Sequence, residues 1–211
     1  KNLVISTTEL GSTKVFTPFM VDRLPDLHLQ HAAQWFPLYL YDKVGENKSG
    51  LFAVEAEEGY TRRSAISEQF VAKFRAAYGS DVQHEDIFYY VYSILHSPEY
   101  TARFAADLKK MLPRIPLAQD FWAFAKAGRA LADLHVGYEQ VEPYPLGQTT
   151  GQLGLDPKAD YRVTKMRFGK KGKEADRSAI VVNSHLTLTG IPDEAYGYQV
   201  NGKSAIEWLM E

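Results

Sequence analysis

The chain has 211 residues, 45% of them hydrophobic and 13% aromatic, enough for a real core in one large domain or two small ones. Its 24 basic and 26 acidic side chains leave a net charge of −2, so the surface as a whole is excluded as a polyanion binder and only a local basic patch remains open. No cysteine is present, which excludes disulfides, thiolate metal clusters and cysteine nucleophiles, and a reducing, cytoplasmic setting is expected.

No apolar run approaches the ~20 residues of a membrane helix, so no membrane partner is expected. The sequence starts at Lys1 without methionine, and its last residues, from the Ser204/Glu207 capping box to Glu211, allow barely two helical turns. This pattern reads as a piece of a longer chain.

In chain order, "NLVISTT", "KVFTPFMVD" and "WFPLYLYD" mix β-branched and aromatic residues between the turn signals Gly11 and Pro25, and predict strands. A loop is expected at residues 45–50. Ile66, Phe70, Val71, Phe74 and Tyr78 then recur at helical spacing, with Gly79 placed as C-cap. Residues 85–96, "EDIFYYVYSILH", are apolar or aromatic around nearly the whole helical circumference, which predicts a central buried helix with Phe88, Tyr92 and Leu95 inside.

Ser97 and Pro98 form an N-cap and first-turn pair for a further helix, whose buried stripe would be Tyr100, Phe104, Leu108 and Met111 before Pro113 stops it. Asp120 caps another helix to about His135, where Ala125, Ala127, Gly128, Ala130 and Ala132 permit close approach of a neighbour. Residues 142–160 concentrate Pro, Gly and Thr without period and predict a connection. Strands are expected again in "YRVTKMRF", "AIVVN", "HLTLTG" and "AYGYQVNG".

The fold class is therefore α+β: an N-terminal strand group (residues 1–50), a central helical block (64–138), the connection (142–160), and a C-terminal antiparallel strand group with a terminal helix (161–211).

Among motifs, the absences come first. There is no phosphate loop, no G-x-G-x-x-G, no G-x-S-x-G and no H-E-x-x-H, so most common catalytic signatures are missing and no cofactor is expected. His135 and Glu139 stand four apart like a metal pair, but Gly137 breaks the helix between them and no third ligand is recognisable. His96, at a helix end, is better explained by the last carbonyls of its own helix.

Two basic features remain. Arg162, Lys165, Arg167, Lys170, Lys171, Lys173 and Arg177 cluster against only Glu174 and Asp176. Strand alternation would put Lys165 and Arg167 on one face, and "GKKGK" would follow as a mobile positive loop that either meets DNA or merely solvates a hairpin. In "LPRIP", Pro113 and Pro116 stiffen the backbone around Arg114, which suits a phosphate or a guanine edge, while spacing alone favours an internal partner, an acidic residue or a helix C-terminus of the same fold.

"DIFYYVYSILHSPEY", "LKKMLPRIPL", "DFWAFAKAGRALADLHVGYE" and "YGYQVNGKSAIEWLME", with "FPLYLYD" at residues 36–42, resemble the C-terminal target recognition region of type ISP, single-polypeptide type I, restriction-modification enzymes. The resemblance runs in order over nearly the whole chain. In that family one polypeptide carries a nuclease, a helicase-like ATPase, a coupling region, an adenine N6-methyltransferase and last the target recognition domain.

The resemblance implies a non-catalytic specificity domain that binds double-stranded DNA and presents the target adenine to the methyltransferase. It favours Arg162, Lys165, Arg167, Lys170, Lys171 and Lys173 as DNA contacts, leaves Arg114 a further candidate that it does not decide, and implies the methyltransferase and coupling domains of the same chain as partners. The alternative is a scaffold that docks those domains, with specificity largely elsewhere.

Overall fold

The computed structural model describes residues 2–26, 33–43, 59–150 and 157–211; the loop expected at 45–50 lies outside them. Two compact units divide the chain, Lys1–Val141 and Glu142–Glu211.

In the first unit, β1 (Val4–Thr7) is the middle strand of an antiparallel sheet between β2 (Pro18–Val21) and β3 (Gln34–Pro37). A separate ribbon pairs β4 (Tyr39–Lys43) with β5 (Tyr60–Ser64). The predicted helices follow, the first with its predicted Gly79 C-cap and both with N-terminal caps beyond those expected from the sequence. Ser67 accepts from Phe70 N ahead of α1 (Glu68–Tyr78), which Gly79 ends at φ 109°. Next is α2 (His84–His96), with Gln83 and Asp86 forming its capping box.

Helix α2 is the core of the unit, as its composition requires: Phe88, Tyr92 and Leu95 are all buried, together with Ile87, Tyr90 and Ile94. It packs most extensively on α5 (Phe121–Gly137), which Asp120 caps by accepting from Ala123 N. Gly128 makes this approach possible, because a Cβ there would lie 1.9 Å from the Tyr89 carbonyl oxygen. Ala125 and Ala132 line the same contact, whereas Ala127 and Ala130 face solvent.

One helix differs from expectation. Ser97 and Pro98 do open α3 (Pro98–Arg103), but Phe104 leaves helical geometry at φ −109°, ψ 15°, and a short α4 (Ala105–Leu108) follows. Tyr100 and Leu108 are buried, while Met111 lies past the helix and is 38% exposed rather than in the stripe.

The second unit is an antiparallel sheet in the order β6-β9-β8-β7, with β6 (Gly147–Thr150), β7 (Arg167–Lys171), β8 (Glu174–Val181) and β9 (Leu186–Thr189). Strand β6 and a short α6 (Pro157–Asp160) arise inside the stretch expected to be a plain connection. The Thr pair of β6 supplies an edge strand that Pro and Gly punctuation hid, since it borrows its whole register from β9.

Conversely, residues 161–166 do not join the ladder. Asn183, buried two residues past the end of β8, donates from Nδ2 to the carbonyls of Asp160 and Arg162, at 2.7 and 3.0 Å. A side chain thus satisfies backbone groups that a strand would have satisfied.

A 3-10 turn (Asp193–Tyr196) overlaps the start of the stretch 195–202, which otherwise holds only the two-residue β10 (Gln199–Val200), paired with β11 (Lys203–Ser204). The terminal α7 (Ala205–Leu209) begins at the predicted capping box: Ser204 Oγ receives Glu207 N, and Glu207 Oε2 receives Ser204 N. Ile180, Val182, Leu186, Ile191 and Tyr196 make this unit's own core.

Candidate nucleic-acid interface

The basic segment is a hairpin rather than a mobile loop. Lys170 and Lys171 belong to β7, opposite Ala175 and Glu174, and the chain reverses at Gly172, whose φ of 67° favours glycine. Ladder pairing on both sides of so tight a turn removes the freedom that glycines and repelling lysines suggested.

Between Phe168 and Gly169 the register jumps from Ile180 to Asp176, so Arg177, Ser178 and Ala179 bulge out of β8. Gly169 is buried against this bulge, where a Cβ would come to 3.0 Å from that of Ala179. Its glycine serves close packing, not flexibility. Asp176 is absorbed by the bulge, accepting from Ser178 Oγ at 2.6 Å and from Ser178 N at 3.0 Å. Those two bonds, with Lys171 nearby, hold its carboxyl below the usual range.

The same hairpin sorts its cations. Phe168 turns inward with Ile180, so Arg167 projects from the opposite face, in a cross-strand row with Val181, Thr187 and Thr149. Arg162, Lys165, Arg167, Lys170, Lys171 and Lys173 are all exposed, and none forms an ion pair among the described residues. Lys165 precedes β7, so strand alternation does not place it beside Arg167.

Arg177 differs from its neighbours. Its guanidinium lies 4.1 Å from the centroid of Tyr196 and 3.0 Å from Glu207 Oε1, while its carbonyl accepts the Tyr196 hydroxyl at 2.7 Å. It joins the hairpin to the terminal helix and is spent on the fold.

In the first unit Arg114 is exposed and, among the described residues, in no ion pair, which removes the internal-carboxylate reading. Its carbonyl accepts the Tyr100 hydroxyl at 2.9 Å. Lys109 and Lys110 are exposed close by in sequence.

The two histidines are structural. His96 Nδ1 meets the Tyr92 carbonyl at 2.9 Å, one helical turn back, as expected at a helix end. His135 Nδ1 meets the Tyr92 hydroxyl instead of facing Glu139, which lies exposed in a 3-10 turn. Burial, then the neighbouring His96, pushes the His135 imidazole down to about 4. Among the described residues no three His, Cys, Asp or Glu side chains are placed to hold a metal ion.

Sequence reasoning missed the tyrosine hydroxyls that hold the Arg114 segment, the Asn183 hub and the Arg177–Glu207 pair. Only the last had a signal, the Ser-x-x-Glu box, and that box says nothing of a second partner 30 residues away.

The family model of the Type ISP C-terminal specificity domain matches residues 1–211. The chain belongs to this family. Among solved structures, this specificity domain is similar to a chain in a cryo-EM structure of a DrdV–DNA complex, with 30% identity and a TM-score of 0.83, covering 100% of this chain and 20% of that one.

It is similar also to the ATP-dependent Type ISP restriction-modification enzyme LlaBIII bound to DNA, at 34% identity and a TM-score of 0.76, over 99% of this chain and 13% of that one. A nuclease-deletion mutant of the Type ISP enzyme LlaGI in complex with a DNA substrate mimic gives 33% and 0.70, over 100% and 14%. The specificity domain thus spans a fifth or less of the length of these relatives. No protein of curated function matches it.

Proposed function

We propose that this specificity domain reads a short site in double-stranded DNA for a longer restriction-modification enzyme and presents the target adenine to that enzyme's methyltransferase. The observation that carries the reading is the β7–β8 hairpin, where Arg177 is consumed by the fold while the other cations stay exposed and form no ion pair among the described residues. The DNA complexes of the LlaBIII and LlaGI relatives support it.

Lys170, Lys171 and Lys173, around the turn, act on phosphates, as do Arg162 and Lys165 ahead of β7, at the other end of the hairpin; Arg167, on the open face of the sheet, reads a base edge. Arg114 contributes from the first unit. The domain contributes no catalytic group and uses no cofactor; the flipping of the adenine and its chemistry belong to the methyltransferase, in the cytoplasm where the DNA is.

One observation favours docking as a second role. An apolar cavity of about 420 Å³ in the first unit is lined by Ile5, Phe36, Leu40, Phe88, Leu95 and Ile115, and it would seat an apolar element of the methyltransferase or coupling region.

Titrating the full-length protein with a recognised and an unrelated duplex over a range of salt tests the recognition reading. A steep negative slope of log K against log salt is expected for both duplexes, with Arg167→Ala narrowing the gap between them by about tenfold or more. Salt-independent binding, or an unchanged gap in Arg167→Ala, would leave docking as the domain's role.

A further inference from the structure

We infer that Arg114 is a preformed clamp for a phosphodiester oxygen of the DNA, and that Tyr100 is the positioning residue that aims it; this rests on the DNA-recognition reading above. Residues 112–118 have no regular secondary structure, yet they are held at four backbone atoms by three tyrosine hydroxyls from the helical core. Tyr100 donates to the Arg114 carbonyl at 2.9 Å. Tyr90 donates to the Pro116 carbonyl at 2.7 Å and accepts from Ala118 N at 2.8 Å. Tyr78 donates to the Ala118 carbonyl at 2.6 Å.

These anchors are themselves rigid. Tyr90 is fully buried, at 0% exposure, and its ring packs 5.4 Å from Phe74 and 5.0 Å from Phe121. Tyr100 is buried beside Phe104 at the start of the small hollow that Arg114 also lines. Burial keeps the Tyr100 hydroxyl protonated, and thus a donor, far above neutral pH. Pro113 and Pro116 flank the arginine, each restricting its own φ and offering no N–H.

The result is an exposed guanidinium whose backbone has no freedom left to lose. An irregular segment would otherwise give up conformational entropy when its side chain engages a ligand. Nothing among the described residues neutralises Arg114: Asp107 lines the same hollow, but the two form no ion pair. Lys109 and Lys110 add positive charge five and four residues before it, in a turn that the bond from Gly11 N to the Lys109 carbonyl, at 2.7 Å, ties down. Three cations in so short and stiff a stretch suit a phosphate backbone better than a single base edge.

The test is a double-mutant cycle of Arg114→Ala and Tyr100→Phe in the full-length protein, read by binding to a recognised and an unrelated duplex over salt. Arg114→Ala should weaken both duplexes by about tenfold and make the salt slope shallower by about one unit, while Arg114→Lys keeps the slope. Tyr100→Phe should weaken both by about threefold, and should add nothing once Arg114 is alanine. Pro113→Ala, which loosens the same segment while leaving the three tyrosine hydroxyls in place, should behave like Tyr100→Phe and serves if that variant does not fold.

A loss confined to the recognised duplex would overturn the phosphate assignment. A Tyr100→Phe effect that persists in the Arg114→Ala background would overturn the positioning role. Arg114→Ala protein that binds both duplexes as well as wild type, with an unchanged salt slope, would overturn the inference alone, whereas wild-type protein that binds no DNA would overturn the recognition reading on which it stands.

Discussion

The guanidinium of Arg177, in β8, lies 3.0 Å from Glu207 Oε1, while the other oxygen of that carboxylate holds Ser204 N and Oγ at 2.9 Å. One glutamate therefore both caps the terminal helix and anchors the bulged hairpin. Arg177→Ala should lower the thermal midpoint, because it forfeits the contact over Tyr196, about 1 kcal/mol, and the Glu207 pair. It should leave the salt slope of DNA binding unchanged. A shallower slope with unchanged stability would place Arg177 among the DNA contacts instead.

Gly128 makes a sharper prediction. A methyl group there collides with the Tyr89 carbonyl, a backbone atom that cannot swing aside, so α5 and α2 must move apart. Gly128→Ala should destabilise the protein by about 3 kcal/mol, despite the higher helix propensity of alanine. Chemical denaturation gives the number, and a neutral or stabilising result would mean that the two helices are not packed this closely.

His135 supplies a pH dependence. Its folded-state value is pushed down to about 4, below the ~6.5 of an unfolded histidine, so the unfolded chain binds the proton more readily. The stabilisation is complete above pH ~6.5 and is lost as pH falls from there through about 4. His135→Gln should flatten the midpoint against pH over that interval. An equally steep fall in the variant would assign the acid sensitivity to other groups, among them Glu207, whose depressed carboxyl also loses its benefit as pH falls.

What the sequence made readable follows from the range of the interactions involved. Helix α2 announced itself because its apolar circumference is a local property, and Ser97, Asp120 and Ser204 announced helix starts because a cap acts within three residues. Strand β6 did not, because its Thr-rich edge gains structure only from β9, far along the chain. The break at Phe104 likewise left no mark in the stripe that suggested one continuous helix.

The candidate site divides the same way. A cluster of cations is countable, but which of them the fold consumes is a tertiary fact: Arg177 meets Glu207 and Tyr196, and Arg167 does not. The stiffness of Arg114 was half visible in its flanking prolines. The other half lies in Tyr78, Tyr90 and Tyr100, which read as ordinary core aromatics until their hydroxyls are traced to the backbone.

The most direct measurement is the salt dependence of DNA binding by the full-length protein with Lys170, Lys171 and Lys173 all changed to Ala. All three are exposed around a turn whose backbone is held by ladder pairing, so their loss should leave the thermal midpoint in place. Affinity for recognised and unrelated duplexes should fall alike, and the slope of log K against log salt should become shallower by about one unit per lost phosphate contact. Unchanged affinity together with an unchanged slope would contradict the account and reduce the hairpin to a solvated surface.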